Sequence, residues 1–342
     1  MKAVITSSLV IAAALVATAT VRAEEKEAPV AVNLSNFVRA ESDQMLRNTM
    51  SMSGVKIGEF THLREPATAD NQPIIRMNQD TLYSTTVVDL SEPVEITLPE
   101  VGDRYMSMHV VNQDHFMFVE SKPGTYILTE EEIGTRFALV TVRTFYNASD
   151  PEDLTKAHGA QDKIEITGGG SGPFEAPNWN TEHLATARKA LSDLATLGFD
   201  STYAFGTKDE IRPIDHLVGT AAGWGGLPAK DAYYILSSVP QNDGKTACAL
   251  TVKDVPVDAF WSVTVYNADG YLEKNDVGRN SFNNYSATPN EDGSITIHFG
   301  GDPESSNYLP ITEGWNYAVR MYQPRKELLD GSWTFPSPEP VK

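Results

Sequence analysis

Polar side chains between residues 76 and 83 carry groups suited to binding a small ligand. In an extended segment Asn78 and Asp80 point the same way, so an amide and a carboxylate would meet one ligand. Arg76 precedes them and Tyr83 follows, which adds a guanidinium and a phenol. The alternative is structural, because Asp80 and Thr81 also belong to the residue types that cap turns and bind backbone donors at a strand start.

A second polar series lies on a predicted strand over residues 105–111. Because side chains alternate along a strand, Tyr105, Ser107 and His109 share one face, and the two methionines and the valine between them share the other. The apolar face suits a core, whereas the phenol, hydroxyl and imidazole suit a polar cleft. We therefore take Tyr105 as a candidate ligand contact and His109 as a candidate acid or base.

Asp114 and His115 follow at the end of this strand and add an acid and a base. Together with His109, they are residue types that bind a divalent metal ion or relay a proton. Adjacent residues in a strand point apart, however, so Asp114 and His115 face one ion only if the strand bulges. The competing interpretation is a solvated loop pair without a chemical role.

The C-terminal half contributes an aromatic and a basic candidate. Trp261 belongs to a set of tryptophans and tyrosines that would form a stacking platform for a sugar or an aromatic ligand, or else fill the core of a sandwich. Arg320 lies on the strand face opposite Trp315 and Tyr317. There it would pair with an acid across the domains or hold an anionic ligand.

The first 23 residues have the features of a secretory signal peptide: a basic start, an apolar run over residues 4–16 and a small-residue site before Glu24. Without Lys2 and Arg22 the chain has 25 basic and 46 acidic residues, a formal charge of −21. This charge repels nucleic acid, and no later stretch is apolar enough to span a membrane. We therefore expect a periplasmic or extracellular protein.

Period-two hydrophobicity dominates two blocks of the sequence and predicts a mainly β protein with two sandwich domains. We place an N-terminal sandwich with a leading helix at residues 24–150 and a C-terminal sandwich at residues 227–342. Residues 151–226 are predicted to connect them through short helices and loops, with Leu184, Leu191 and Leu194 turned toward a core. The only cysteine, Cys248, excludes an intrachain disulfide and is predicted to be a small core residue.

Several unusual strings resemble two families of domains of unknown function. The N-terminal strings are RMNQDTLYS at 76–84 and DLS at 89–91, and the C-terminal strings are VPVDAFWS at 255–262, DGS at 292–294, LP at 309–310 and LDGSW at 329–333. The first set resembles the family numbered 1254, and the second resembles its usual partner, numbered 1214. This resemblance implies two jelly-roll-like β domains in an exported bacterial protein, without a settled activity.

The sequence lacks the serine-hydrolase elbow, the zinc-protease motif, a phosphate-binding glycine loop and a dinucleotide fingerprint. We therefore expect an exported envelope protein that binds a small-molecule or glycan ligand or has a structural role. The alternative is a periplasmic hydrolase or lyase that uses Asp80, His109 and Asp114 in a cleft, with or without a divalent metal ion. A short distance between the Asp80 carboxylate and the His109 imidazole would favour the enzyme.

Overall fold

The computed structural model describes residues 28–341, so the predicted signal peptide lies outside the described residues. The helices are α1 Phe37–Ser53, α2 Glu130–Ile133, α3 Asp153–Gln161, α4 Thr181–Ala195, α5 Pro213–Gly223 and α6 Lys326–Leu329, with a short 3-10 helix at Ser201–Tyr203. The strands are β1 Thr61–Leu63, β2 Thr81–Asp89, β3 Val94–Leu98, β4 Met106–Asn112, β5 Met117–Glu120, β6 Gly124–Leu128, β7 Phe137–Phe145, β8 Glu165–Gly168, β9 Ala232–Ser237, β10 Cys248–Val252, β11 Trp261–Tyr266, β12 Ser281–Asn283, β13 Ile295–Phe299, β14 Tyr308–Leu309, β15 Asn316–Tyr322 and β16 Glu339–Pro340. Strands hold 30% of the residues and helices 20%, which confirms the predicted mainly β class.

Two antiparallel sheets form the N-terminal sandwich. The larger sheet has the strand order β1-β2-β7-β4-β5, and the smaller has the order β6-β3-β8. Their inner faces enclose a core that includes Met106, Met108 and Val110 of β4, as the alternation in the sequence predicts. The residues between them on β4 therefore lie on the outer face of the larger sheet.

The C-terminal sandwich packs a sheet of order β12-β11-β15-β9 against a sheet of order β14-β13-β10-β16. Cys248, Trp261 and Trp315 lie in the core between these sheets, which confirms the core interpretation of the cysteine. Ser262 of β11 is paired with Arg320 of β15, and both alternate with the core residues along their strands. Their side chains therefore lie on the outer face of this sheet.

The outer faces of the five-stranded sheet and the β12-β11-β15-β9 sheet are turned toward each other. Phe145 packs against Phe260 with ring centroids 4.6 Å apart, and Tyr105 lies 5.1 Å from Tyr322. Leu227 belongs to the same buried cluster. An aromatic contact thus joins the two domains, because each of these rings buries a large apolar area.

Helices α1, α4 and α5 pack together and cover another part of the outer face of the five-stranded sheet. Leu46 of α1 forms one buried cluster with Val87, Val111 and Leu139 from three neighbouring strands. The sheet face is therefore apolar where the helices cover it, as burial without water requires.

Two buried carboxylates of α1 fix this helical layer. Glu41 accepts two hydrogen bonds of 2.7 Å from Arg188 of α4. Asp43 accepts hydrogen bonds from Gln113 Nε2 at 2.7 Å and from Trp179 Nε1 at 2.8 Å. Because a buried carboxylate without partners is costly, these contacts set the position of α1 on the sheet and on α4.

Part of the predicted connection belongs to the N-terminal sandwich, since β8 pairs with β3 from Glu165 opposite Thr97 to Gly168 opposite Val94. On α4 the prediction for Leu194 is wrong, because 54% of this residue is exposed at the last turn of the helix. No helix within residues 28–341 is long and apolar enough to cross a membrane.

Candidate functional site

A polar strip crosses the outer face of the five-stranded sheet between the helical layer and the C-terminal domain. Thr85 of β2, Thr141 of β7 and His109 of β4 are paired neighbours across it. Thr85 and Thr141 are only half-buried, although β2 and β7 are interior strands. We call this feature the inter-sheet groove, with Thr85, His109, Thr141 and Arg143 as its floor and Tyr83, Tyr105, Tyr234 and Tyr322 as its walls.

Arg143 is the charged group of the groove floor, and only 8% of it is exposed. Its Nη1 donates a hydrogen bond to His109 Nδ1 at 3.4 Å, and its guanidinium carbon lies 5.6 Å from the centre of the Tyr83 ring. Within residues 28–341, no Asp or Glu side chain forms an ion pair with it. Because arginine stays protonated in proteins, the floor holds a buried positive charge without a counter-charge.

His109 is the neutral neighbour of this charge. Its Nδ1 accepts from Arg143, so its proton lies on Nε2, which is 3.3 Å from the sulfur of Met117. Burial, then the charge of Arg143 and then His115, lower the pKa of His109 well below its usual range. A neutral imidazole with its lone pair directed at the guanidinium orients Arg143 and does not compete for its charge.

Both domains contribute a phenol wall around Arg143. Tyr83 and Tyr105 come from the N-terminal domain, and Tyr234 and Tyr322 come from the C-terminal domain. Burial raises the pKa of Tyr105, Tyr234 and Tyr322. The Tyr105 hydroxyl donates to Ser107 Oγ at 2.8 Å, and the Tyr322 hydroxyl accepts from Asn78 Nδ2. Burial by itself would lower the pKa of Arg143, but the phenol groups of the wall raise it.

Residues 76–80, which we call the docking segment, contact the C-terminal domain. Asn78 Nδ2 donates to the Tyr322 hydroxyl at 2.8 Å, and Asn78 Oδ1 accepts from the backbone N–H of Asp80 at 2.8 Å. Arg76, which has a φ of 57°, donates from Nη1 to Asn316 Oδ1 at 2.7 Å. The structure therefore uses Arg76 and Asn78, both predicted ligand contacts, to join the domains.

Asp80 is enclosed between the two domains. Its Oδ1 accepts from Asn283 Nδ2 at 3.0 Å. Ser262 lies beside the carboxylate, but among the described residues neither its hydroxyl oxygen nor Asp80 Oδ2 has a partner in hydrogen-bond geometry. Burial raises the pKa of Asp80, against the opposing effects of Ser262, Asn283 and Arg320. Asn78 forms the predicted turn in place of Asp80.

Asp80, His109 and Asp114 do not share a cleft. His109 is level with Thr85 through Thr141, and Asp80 precedes Thr85 by five residues, which is roughly 16 Å at a rise of about 3.3 Å per residue. Asp114 lies in the turn between β4 and β5, where its Oδ1 is 2.7 Å from Arg39 Nη2. The geometry that a joint acid–base role would require is therefore not formed.

His115 points away from Asp114 into the protein. Its φ is 60°, its Nδ1 is bonded to Thr220 Oγ1 at 2.8 Å, and its Nε2 accepts from the backbone N–H of Gly225 at 2.9 Å. Burial, then the neighbouring His216, lower the pKa of His115 well below its usual range. The solvated-loop interpretation is wrong for this residue, because His115 is 0% exposed and ties the β4–β5 turn to α5.

Arg320 spans the two domains. Its Nη2 donates to the carbonyl oxygen of Arg76 and to the Tyr266 hydroxyl, both at 2.7 Å, and its Nη1 donates to Thr264 Oγ1 at 3.1 Å. The charge of Asp80 also acts on it. Arg320 therefore contacts the other domain, as one alternative predicts, but through the backbone carbonyl of Arg76 and not through an ion pair with an acid.

Two family descriptions match the chain. The family described as "Protein of unknown function (DUF1254)" matches residues 57–168, and "Protein of unknown function (DUF1214)" matches residues 237–326. The chain pairs a DUF1254 domain with a DUF1214 domain. This confirms the resemblance carried by the sequence strings. No curated protein sequence matches the chain.

Two crystal structures share the fold of this DUF1254–DUF1214 pair. The VPA0106 protein from Vibrio parahaemolyticus superimposes with a TM-score of 0.71 at 20% identity, covering 90% of this chain and 98% of that chain. An uncharacterized protein from Burkholderia cenocepacia superimposes with a TM-score of 0.50 at 15% identity, covering 90% of this chain and 88% of that chain. Both similarities concern the fold alone.

Trp261 of the DUF1214 domain does not face the groove. It is 5% exposed and packs in the sandwich core, with its ring centroid 5.6 Å from that of Phe335. Because successive side chains on a strand alternate, its neighbour Ser262 faces the DUF1254 domain in its place. The prediction of Trp261 as a ligand contact is therefore wrong, and the core alternative holds.

A divalent metal ion was one expectation for the site. Over residues 28–341, no three His, Cys, Asp or Glu side chains are grouped so that they could hold a metal ion. The two ring nitrogens of His109 contact the thioether of Met117 and the guanidinium of Arg143. This part of the chain offers no ligand set for the metal-assisted hypothesis.

A separate surface cavity of about 420 Å³ lies where α1 meets the DUF1254 domain. Its lining includes Arg39, Asp43, Gln113, Arg136 and Trp179. The arginines of this cavity are already paired, Arg39 with Asp114 at 2.7 Å and Arg136 with Asp89 at 2.8 Å. The cavity has room for a small molecule, but its arginines are paired, whereas Arg143 beside the half-buried Thr141 has no ion-pair partner within residues 28–341.

Sequence reasoning missed Arg143 and Tyr234 as groove residues. Arg143 lies near the end of the otherwise uncharged strand FALVTVRTF, residues 137–145. A lone charge inside such a strand is a usable signal, because buried charges without partners are rare in proteins. No comparable signal marks Tyr234, since tyrosine is common in ordinary strands.

Proposed function

We propose that this protein is an exported ligand-binding module that takes a small organic molecule into the inter-sheet groove. The observation that carries the proposal is the half-buried state of Thr85 and Thr141 on interior strands, beside polar groups supplied by both domains. Sites of this kind between domains, with a few fixed polar groups among aromatic rings, are typical of small-molecule binding.

Export is the other half of the proposal. The leader in residues 1–23 and the acidic composition of the remaining chain support it, and both come from the sequence. The jelly-roll-like connection of the strands in both sandwiches, which the resemblance implies, stays a prediction.

The hydrolase or lyase alternative receives less support. It requires Asp80 and His109 at one substrate, and they belong to separate environments, one bonded to Asn283 and the other to Arg143. General acid–base catalysis needs both groups within hydrogen-bond reach of the reacting atoms. Binding without bond cleavage therefore fits these residues better.

Ligand retention tests the binding half. Purified mature protein is incubated with a small-molecule extract of the bacterium, washed by gel filtration, denatured and analysed by mass spectrometry. Thr141→Trp fills the groove floor, and Thr251→Trp, on an exposed strand position of the DUF1214 domain, is the matched control. We expect a compound retained by the wild type and Thr251→Trp and lost from Thr141→Trp; equal retention by all three would contradict the proposal.

Fractionation tests the export half. We expect the protein in the periplasmic or extracellular fraction, with an N-terminal residue of Glu24 by Edman sequencing. Full-length protein that stays in the cytoplasm with its leader intact would contradict export.

A further inference from the structure

We infer that the inter-sheet groove selects ligands that carry a carboxylate group, which Arg143 binds through its guanidinium. This inference rests on the proposed function and names the chemical class of the ligand. It starts from the positive charge of Arg143, which has no negatively charged partner among the residues that the structure describes.

Other enclosed arginines of the DUF1254 domain have carboxylate partners. Arg104 binds Asp153 through both terminal nitrogens, with Nη1 donating to Oδ2 at 2.9 Å. Arg136, whose side chain is 33% exposed, binds the buried Asp89 through Nε and Nη2. Arg143 is 8% exposed, yet its hydrogen bond runs to a neutral imidazole. Because a buried charge without a counter-charge is costly, the groove is prepared for an anion.

The groups that face Arg143 would leave room for this anion. The phenols of Tyr83, Tyr105, Tyr234 and Tyr322 all act on the charge of Arg143, and the Tyr83 ring contacts it at 5.6 Å. The Tyr105 hydroxyl already donates to Ser107 Oγ at 2.8 Å, and the Tyr322 hydroxyl accepts from Asn78, so Tyr83 is the phenol with a proton to offer. Neither Asp231, which acts on Tyr105, nor Asp80, which is bonded to Asn283, forms an ion pair with Arg143. A ligand carboxylate would accept from the guanidinium and from the Tyr83 hydroxyl, which gives a charge-assisted contact.

A monocarboxylate fits better than a phosphate or a sulfate dianion. Arg143 is the one arginine on the groove floor, since the guanidinium of Arg320 is engaged with the docking segment, Thr264 and Tyr266. The protein as a whole has a formal charge of −19, which repels multiply charged anions. The planar fork of arginine matches a carboxylate, and the Tyr83 ring beneath the guanidinium provides a flat apolar surface for the body of the ligand.

Titration calorimetry with paired probes tests the inference on the mature full-length protein. The charged probes are benzoate and glucuronate, their neutral counterparts are benzamide and glucose, and inorganic phosphate is the dianionic control. Arg143→Met removes the anchor, Arg143→Lys keeps the charge without the fork, and Arg325→Met removes a charge of the same sign from an exposed pair with Asp258. Near-UV circular dichroism verifies that each variant is folded.

We expect one of the carboxylates to bind the wild type and Arg325→Met, with roughly tenfold or greater weakening in Arg143→Met and a smaller loss in Arg143→Lys. Its neutral counterpart and phosphate should bind much more weakly. If benzamide or glucose binds as tightly as its charged partner, and Arg143→Met binds like the wild type, the carboxylate inference is overturned and groove binding stands. If the extract experiment yields no retained compound and none of the probes binds at millimolar concentration, both proposals fall.

Discussion

Arg143→Met should stabilise the ligand-free protein, which is the opposite of the usual effect of a substitution at a buried site. The wild type buries a guanidinium without a counter-charge, so methionine of similar length removes a desolvation cost of about 1–3 kcal/mol. The change also breaks the 3.4 Å hydrogen bond to His109, which contributes about 0.5–1.5 kcal/mol. We therefore expect the free energy of unfolding to rise by about 1 kcal/mol.

Urea unfolding followed by near-UV circular dichroism measures this change, because the groove tyrosines report on tertiary structure. Arg104→Met is the matched control: its guanidinium is paired with Asp153, and both side chains are 13% exposed. Removing this arginine leaves the Asp153 carboxylate without its counter-charge, held by the backbone N–H of Asn147 at 2.7 Å, so this control should lose about 3 kcal/mol. A loss of more than about 1 kcal/mol in Arg143→Met would refute the claim that Arg143 lacks compensation.

Three further predictions concern charges and polar contacts around the groove. Burial raises the pKa of Asp231 from 3.8 to about 6, so its ionised form destabilises the fold above that pH. Asp231→Asn should therefore raise the free energy of unfolding at pH 7.5 by about 1–2 kcal/mol after allowance for solvent contact, and this gain should shrink as the pH falls from 6 to 4. An equal gain at pH 4 would contradict this. Asn283→Ala should lower the free energy of unfolding at pH 7 by about 1–3 kcal/mol, because Asp80 loses its hydrogen-bond donor. Urea titration measures this loss, with Thr251→Ala at an exposed position as the control; equal stability of the two variants would contradict the contact. His109 and His115 have pKa values well below 6.5 in the fold, so the unfolded chain binds more protons, and each should cost about 1.4 kcal/mol on moving from pH 7.5 to 5.5. Because the raised pKa of Asp80 acts in the opposite direction, the cost of His115 is measured as the difference between Asp231→Asn and the double variant Asp231→Asn/His115→Gln, and an equal pH dependence of the two would contradict it.

The sheet faces follow from local alternation and could be predicted. On β4, the core position of Met108 and the outer position of His109 depend only on the period of two along one strand. The same rule places Cys248 in the core and Arg320 on the face opposite Trp315. Such predictions succeed because they need no knowledge of which strands become neighbours.

The composition of the site depends on strand register and domain docking, which local patterns do not encode. Asp80 and His109 both face away from the N-terminal core, but the pairing of β2 with β7 and β4 sets them about five residues apart along the sheet. Tyr322 reaches the groove only because the docking segment brings the C-terminal sheet against the N-terminal one. Strand alternation also places Trp261 in the core, because its neighbour Ser262 lies on the face that contacts the other domain.

Nitrogen-15 NMR of the arginine side chains during a titration with the carboxylate that calorimetry selects tests the central claim most directly. The Nε–H signal of Arg143 is assigned by its absence from Arg143→Lys. The account predicts that this signal shifts on binding and that its proton exchanges more slowly with water, because the ligand carboxylate accepts from it. An unchanged Arg143 signal at saturation, with shifts confined to other arginines, would contradict the account.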